Sequence, residues 1–137
     1  MASGVLLLIV RILLAAMFLA SGHTALFDIA ATTSYFAGLG LQPAAVLAWA
    51  VGIFELLAGM LLVVGFQTRA TAVALAVFTL VATWLGHYGQ GGDDPAAVFV
   101  HSQALLKDLA VAGGMILLAL HGPGRLAIDG MSLWRHG

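Results

Sequence analysis

Charged and imidazole side chains interrupt the apolar stretches of this 137-residue chain at a few positions, and these residues could bind a ligand or transfer protons. Glu55 stands inside the apolar run 44–65, where a carboxylate costs at least about 2.5 kcal/mol to insert into a bilayer. Arg11 interrupts the run 4–22 in the same way. Such buried charges need a partner charge, protein contacts or trapped water. The other candidates stand nearer the ends of the apolar runs: His23, His87, His101, Lys107 and Asp108.

The composition indicates an integral membrane protein with a single domain, residues 1–137. Hydrophobic residues make up 62% of the chain and charged residues 8%, and the mean hydropathy is +1.08. Soluble domains carry about 25% charged residues, so this chain cannot cover its surface with polar groups. The absence of cysteine excludes disulfides and thiol redox chemistry. No basic run is present, so we expect no nucleic-acid partner.

Four apolar runs are each long enough to cross a hydrocarbon core of about 30 Å, which predicts an all-α, four-helix membrane bundle. A cleaved signal peptide is the rival interpretation of the first run. Arg11 within that run, and the lack of Lys or Arg before it, favour a retained helix. The predicted membrane helices cover 4–22, 44–65, 69–88 and 102–120, and 29–37 could form a short helix at the interface.

An even number of spans places both termini on one side of the membrane. Basic residues in loops favour the cytoplasmic side, so the charge distribution predicts that both termini are cytoplasmic. That side would hold Arg69, Arg125 and Arg135, whereas the opposite loops would hold Asp28, Asp93 and Asp94.

Helical spacing places Glu55 on a stripe with Ala48, Gly52 and Gly59, along which another helix can approach closely. Counting about 1.5 Å per residue from the predicted helix ends, Arg11 lies roughly 10 Å and Glu55 roughly 12 Å from the cytoplasmic face. These depths predict a buried Arg11–Glu55 ion pair. The pair could be a structural clamp or the floor of a ligand cavity. We therefore expect substitution of Glu55 to impair folding as much as function.

The remaining polar groups indicate a second feature, a polar pocket that opens to the outer face. No histidine has a metal-ligand spacing within a helix, so no metal site is predicted. A quinone fits these groups, because its ring needs an apolar slot and its carbonyl oxygens need donors. A small anion would also suit the cations. The pocket candidates are His23, His87, His101, Lys107 and Asp108, with Arg11 and Glu55 below them.

Several short motifs follow one another in order along nearly the whole chain. They are Arg11 with ASG at 20–22, YFAGLG at 35–40, ELLAG at 55–59, GFQTR at 65–69, His87, LKDLA at 106–110, and GPGR at 122–125 with Asp129. This ordered set resembles the DoxX family of small four-helix membrane proteins. Two positions depart from the family's usual pattern. Ala25 stands where a lysine is usual, and Asp108 stands where Asn usually follows the lysine.

The resemblance implies a multi-pass protein of the bacterial inner membrane, and a quinone-interacting or membrane subunit of an oxidoreductase complex. Quinone would be its cofactor, oxidoreductase subunits its partners, and Arg11, Glu55, His87 and Lys107 would line the site. Whether the chain is itself an enzyme stays open. One alternative is a non-catalytic anchor or assembly partner, and a homodimer would be consistent with its small-residue faces. A small-molecule transporter is the third hypothesis, disfavoured by the expected Arg11–Glu55 pair.

Overall fold

The computed structural model describes residues 2–132, and within this range every regular element is a helix. Four of the helices are long and apolar enough to cross a membrane. The elements are α1 (Ala2–Phe27), α2 (Ile29–Gly38), α3 (Ala44–Val64), α4 (Thr68–His87), α5 (Pro95–His121) and α6 (Ile128–Ser132).

Each of the four predicted membrane segments corresponds to a helix that is long and apolar enough to span, and a short helix is present at Ile29–Gly38, but two predicted helix ends are wrong. Helix α1 continues through Gly22 to Phe27. Helix α5 begins at Pro95 rather than at 102, because the Asp94 carboxylate caps it by accepting the Ala96 N–H at 3.0 Å. An aspartate before a proline is a strong helix start, since proline lacks an N–H that would need a partner in the first turn.

The helices form two hairpins. Helix α1 packs chiefly against α3, and α4 packs chiefly against α5, while contacts between the hairpins are fewer. Helix α2 lies against α3. The Asp28 carboxylate caps α2 by accepting the Ala31 N–H at 3.0 Å, so the chain turns directly from α1 into α2.

Glycines allow α1 and α3 to pack closely. A Cβ added to Gly22 would lie 2.9 Å from the Gly52 carbonyl oxygen and 2.9 Å from the Leu56 nitrogen, which are both backbone atoms of α3. A Cβ on Gly59 would lie 2.9 Å from the side chain of Leu19. The predicted small-residue stripe around Glu55 is therefore the surface against which α1 packs.

The main apolar cluster of the core lies in one half of the bundle. We call this half the Arg11 half, because Arg11 lies at its end, and we call the other the His87 half. The buried side chains of this cluster belong to α1, α3, α4 and α5: Ala15, Phe18, Ala58, Leu62, Ala72, Leu75, Ala76, Met115 and Leu118. The His87 half contains a cavity instead, described below.

The outer surface is apolar, as expected for a protein surrounded by lipid. Leu13 and Leu120 are each 68% exposed, and Phe99 is 64% exposed. Large apolar side chains at this density would form contiguous patches that a soluble monomer does not tolerate. Arg135, on which the orientation prediction partly depends, lies outside the described residues, so the cytoplasmic placement of both termini stays a prediction.

Candidate functional site

Glu55 is buried in α3 and hydrogen-bonded to α1. Its carboxylate accepts the Ser21 hydroxyl, with Oε1 at 2.9 Å and Oε2 at 3.0 Å from the Ser21 oxygen. The residue is only 6% exposed. Gly22, next to Ser21, permits this contact, because it lets the α1 backbone approach α3 at this height.

The predicted Arg11–Glu55 ion pair is wrong. The guanidinium of Arg11 lies beside Gly65, at the end of α3, and donates from Nη2 to the Leu126 carbonyl. Glu55 is ten residues back along α3 from Gly65, a distance of about 15 Å along the helix axis. The depth count failed because it assumed level helix ends. The first turns of α1 in fact extend beyond the end of α3, alongside the segment that follows α5.

That C-terminal segment closes the Arg11 half of the bundle. The Asp129 carboxylate caps α4 across the turn, accepting the Gln67 N–H at 2.9 Å and the Thr68 N–H at 2.7 Å. Burial alone would raise the pKa of Asp129. The hydrogen bonds from Thr68 and Gln67, together with the charge of Arg11, outweigh that effect and hold the pKa below its usual range.

Arg11 has a structural setting rather than a ligand-binding one. Its side chain is 1% exposed, and its Nε and Nη1 have no hydrogen-bond partner among the described residues. The Asp129 N–H also donates to the Gly65 carbonyl at 2.9 Å, which ties the C-terminal segment to the α3–α4 turn. Arg11, Gly65 and Asp129 thus join three parts of the chain at one end of the bundle.

A second polar cluster lies at the His87 half, where α4 ends beside α5. The Nδ1 atoms of His87 and His101 are 3.0 Å apart, so one ring donates its Nδ1–H to the other. The Nε2 of His87 lies 3.8 Å from the Asp108 carboxylate, and the Lys107 ammonium lies 3.6 Å from the same group. Asp108 therefore has two partners. Four of the five groups that we expected to converge lie together on α4 and α5, whereas His23 of α1 stacks on Phe27 instead.

A cavity of about 760 Å³ lies between the two hairpins, beneath α2. Its lining includes Glu55 and Ser21 from one hairpin, and His87, Lys107 and Asp108 from the other. Most of the remaining wall is apolar, from residues such as Met17, Phe18, Leu47, Val51, Phe78 and Leu85. Its volume falls in the range of about 300–1,000 Å³ that is typical of small-molecule sites.

Two further lining residues were not identified from the sequence. Thr79 is 4% exposed, lines the cavity, and its hydroxyl has no hydrogen-bond partner within the described residues. Tyr35 of α2 also lines the cavity, and its hydroxyl donates to the Gly86 carbonyl at 3.4 Å. Burial raises the pKa of Tyr35, so its hydroxyl stays protonated at neutral pH.

Of the predicted pocket residues, four belong to the cavity wall and three do not. Glu55, His87, Lys107 and Asp108 line it. His101 is not a lining residue, but it contacts the lining residue His87, with 3.0 Å between the two Nδ1 atoms. Neither Arg11 nor His23 is among the lining residues, and the exposed ring of His23 stacks on Phe27 at 5.8 Å between centroids. Among the described residues, no group of three or more His, Asp or Glu side chains could hold a metal ion.

The sequence profile of the family described as DoxX matches residues 6–88 of this chain. The chain belongs to the DoxX family. The matched range contains Glu55 and His87, whereas Lys107 and Asp108 lie beyond it. Ala25, which stands where the family pattern suggested a lysine, lies in the cavity wall.

Two curated relatives extend the similarity over most of the chain. The inner membrane protein YphA of Escherichia coli K12 is 34% identical over 130 residues, covering 93% of this chain and 91% of the relative. The inner membrane protein YqjF of the same organism is 33% identical over 124 residues, covering 89% and 88%. No solved structure shows a significant match. Together with the four apolar helices, these relatives identify a multi-pass inner-membrane protein.

Proposed function

We propose that the cavity binds the head group of a quinone and that the protein is the quinone-binding membrane subunit of an oxidoreductase. The observation that carries this proposal is one cavity with a mainly apolar wall and polar groups from both hairpins. A flat ring can lie against the apolar residues, while its carbonyl oxygens accept hydrogen bonds from donors on the wall. The ring would enter from the surrounding lipid, where quinones dissolve.

The Thr79 hydroxyl has no hydrogen-bond partner among the described residues, and rotation of this lining side chain would bring its shielded oxygen to the cavity as a donor. A buried hydroxyl without a partner is unfavourable by about 1–3 kcal/mol, so a ligand carbonyl that accepts its proton would gain part of that free energy. Lys107 and His87 offer further N–H donors from α5 and α4. The Glu55 carboxyl could accept a proton from the ligand or supply one, because the single Ser21 hydroxyl proton uses only part of its hydrogen-bonding capacity and the residue lines the cavity.

The experiment is a quinone titration of the protein in lipid nanodiscs, together with mass spectrometry of the small molecules that co-purify with it. Thr79→Val removes only the hydroxyl, and we expect it to weaken quinone binding about tenfold, the effect of one lost buried hydrogen bond. Thr71→Val is the matched control, because Thr71 is also buried in α4 but does not line the cavity. Lys107→Ala and Glu55→Gln should also weaken binding. Unmodified protein that neither carries nor binds quinone would overturn the proposal.

A second candidate function gains support from the position of Glu55. No cationic side chain contacts this carboxylate among the described residues, so the expectation that Arg11 neutralises it no longer disfavours a transporter. A carboxylate in an apolar cavity could exchange a proton for a lipophilic cation. Proton-coupled uptake of such a cation into liposomes, abolished by Glu55→Gln, would favour transport over quinone binding.

A further inference from the structure

A second apolar space adjoins the cavity on the lipid-facing surface. It is a groove of about 610 Å³ between α4 and α5. Among the described residues, no charged side chain lines it, and the polar groups that do belong to Thr83, Trp84 and Tyr88. The rings of Trp84 and Tyr88 stack with their centroids 4.0 Å apart and form one wall. The other lining residues are Leu80, Val81, Leu85, Leu105 and Leu109.

The groove and the cavity are adjacent along one edge of α4. Val81 and Leu85 line both spaces. They are one helical turn apart, and both are half-exposed, at 53% and 42%. A chain that leaves the cavity across these two side chains therefore enters the groove without leaving an apolar environment.

We propose that the groove holds the isoprenoid tail of the quinone whose head group occupies the cavity. This inference rests on the proposed function. A membrane quinone carries a long hydrocarbon tail at one ring position, so the tail must leave the cavity when the ring is bound. The groove provides an exit that is apolar, open to lipid and adjacent to the ring. Because lipid is as apolar as the groove, the tail adds little binding free energy, and the groove acts by giving it room.

The test compares two probes that share the dimethoxy-methyl-benzoquinone ring, one without a tail and one with two isoprene units. Affinities are measured in phosphatidylcholine nanodiscs and expressed per mole fraction of quinone in the lipid, so that partitioning of the tail cancels. Leu105→Trp and Leu109→Trp fill the groove, and neither residue lines the cavity. Leu117→Trp is the matched control, since Leu117 is 58% exposed on the same helix and lines neither space.

We expect each of the Leu105 and Leu109 substitutions to weaken binding of the tailed probe about tenfold and to leave the tail-less probe unchanged, because only the tail meets the new ring. The control should change neither affinity. A tailed probe with a photoreactive group on its last isoprene unit should label the peptides that contain Leu105 and Leu109.

The possible outcomes distinguish a failure of the groove assignment from a failure of the proposed function. If the tail-less probe binds but the tailed probe is insensitive to both tryptophans, the tail leaves elsewhere and the groove assignment is wrong. Labelling of the groove by a photoreactive phospholipid acyl chain that the tailed probe does not displace would also overturn it. If the tail-less probe does not bind the unmodified protein, the proposed function fails and the groove assignment fails with it.

Discussion

The buried charged side chains in the two halves of the bundle have different surroundings. In the Arg11 half, the guanidinium donates to the Leu126 carbonyl and lies near Asp129, within a region that the apolar core fills. In the His87 half, the Glu55 carboxylate receives one serine hydroxyl and faces a cavity. The Arg11 charge joins segments of the chain, whereas the Glu55 carboxylate lies beside a cavity that a ligand could enter.

A charged residue in a membrane helix therefore does not by itself identify a ligand-binding site. Arg11 and Glu55 are both buried and both lie in apolar helices. Their roles differ because of what surrounds them: the Leu126 carbonyl and the Asp129 carboxylate near Arg11, and a cavity beside Glu55. Substitutions in the two halves should therefore separate effects on stability from effects on binding.

The largest expected effect is that of Arg11→Met, which keeps an unbranched apolar side chain and removes the guanidinium with its charge. We expect the free energy of unfolding to fall by about 3 kcal/mol, because a buried hydrogen bond and the attraction to Asp129 are both lost. Unfolding in mixed detergent micelles measures this loss. The neighbouring lipid-facing substitution Ile12→Met is the control. An unchanged stability would show that Arg11 does not join the segments.

Gly22→Ala tests the close packing that holds Ser21 against Glu55. The added methyl group meets backbone atoms of α3, which cannot move aside as a flexible side chain could. We expect a loss of about 1–3 kcal/mol in the free energy of unfolding. Gly113→Ala is the matched control, because a Cβ there has no neighbour within 4 Å, and alanine should stabilise that helix by up to about 1 kcal/mol. Equal effects at both glycines would contradict the close approach of α1 and α3.

Asp129→Asn tests the cap on α4 through its pH dependence. The folded-state pKa of Asp129 lies below its unfolded value, so the charged carboxylate stabilises the fold above about pH 4, and this contribution disappears as the pH falls further. We expect the variant to lose about 1 kcal/mol at neutral pH and to be less sensitive to acid. Stability measured from pH 7 to pH 3 shows both effects. A variant with the same acid sensitivity as the unmodified protein would exclude Asp129 as the titrating group.

Much of the fold could be predicted from the sequence, because long apolar runs and their breaks are local features. The stripe that contains Gly52 and Gly59 followed from helical spacing, and it is the surface that α1 contacts. The partner of Arg11 did not follow, because it depends on how far α1 slides along α3. The Asp129 cap joins residues that are 61 and 62 positions apart, and no local pattern specifies such a contact.

The candidate site was predictable only in part. Its ionisable residues were evident because charges are rare in apolar helices, and His87, Lys107, Asp108 and Glu55 do line one cavity. Thr79 gave no signal, since a threonine in a membrane helix usually bonds to its own backbone. The cavity itself arises from the loose contact between the two hairpins, which no sequence pattern describes.

The most direct test of this account is the effect of Glu55→Gln on stability and on quinone affinity, measured on the same nanodisc sample. The amide keeps the shape of the side chain and can still accept the Ser21 hydroxyl proton, so we expect the free energy of unfolding to change by less than about 1 kcal/mol. Quinone affinity should fall about tenfold, because the ionisable group that exchanges protons with the ligand is gone. A large loss of stability with unchanged affinity would place Glu55 with Arg11 as a structural residue and contradict the account.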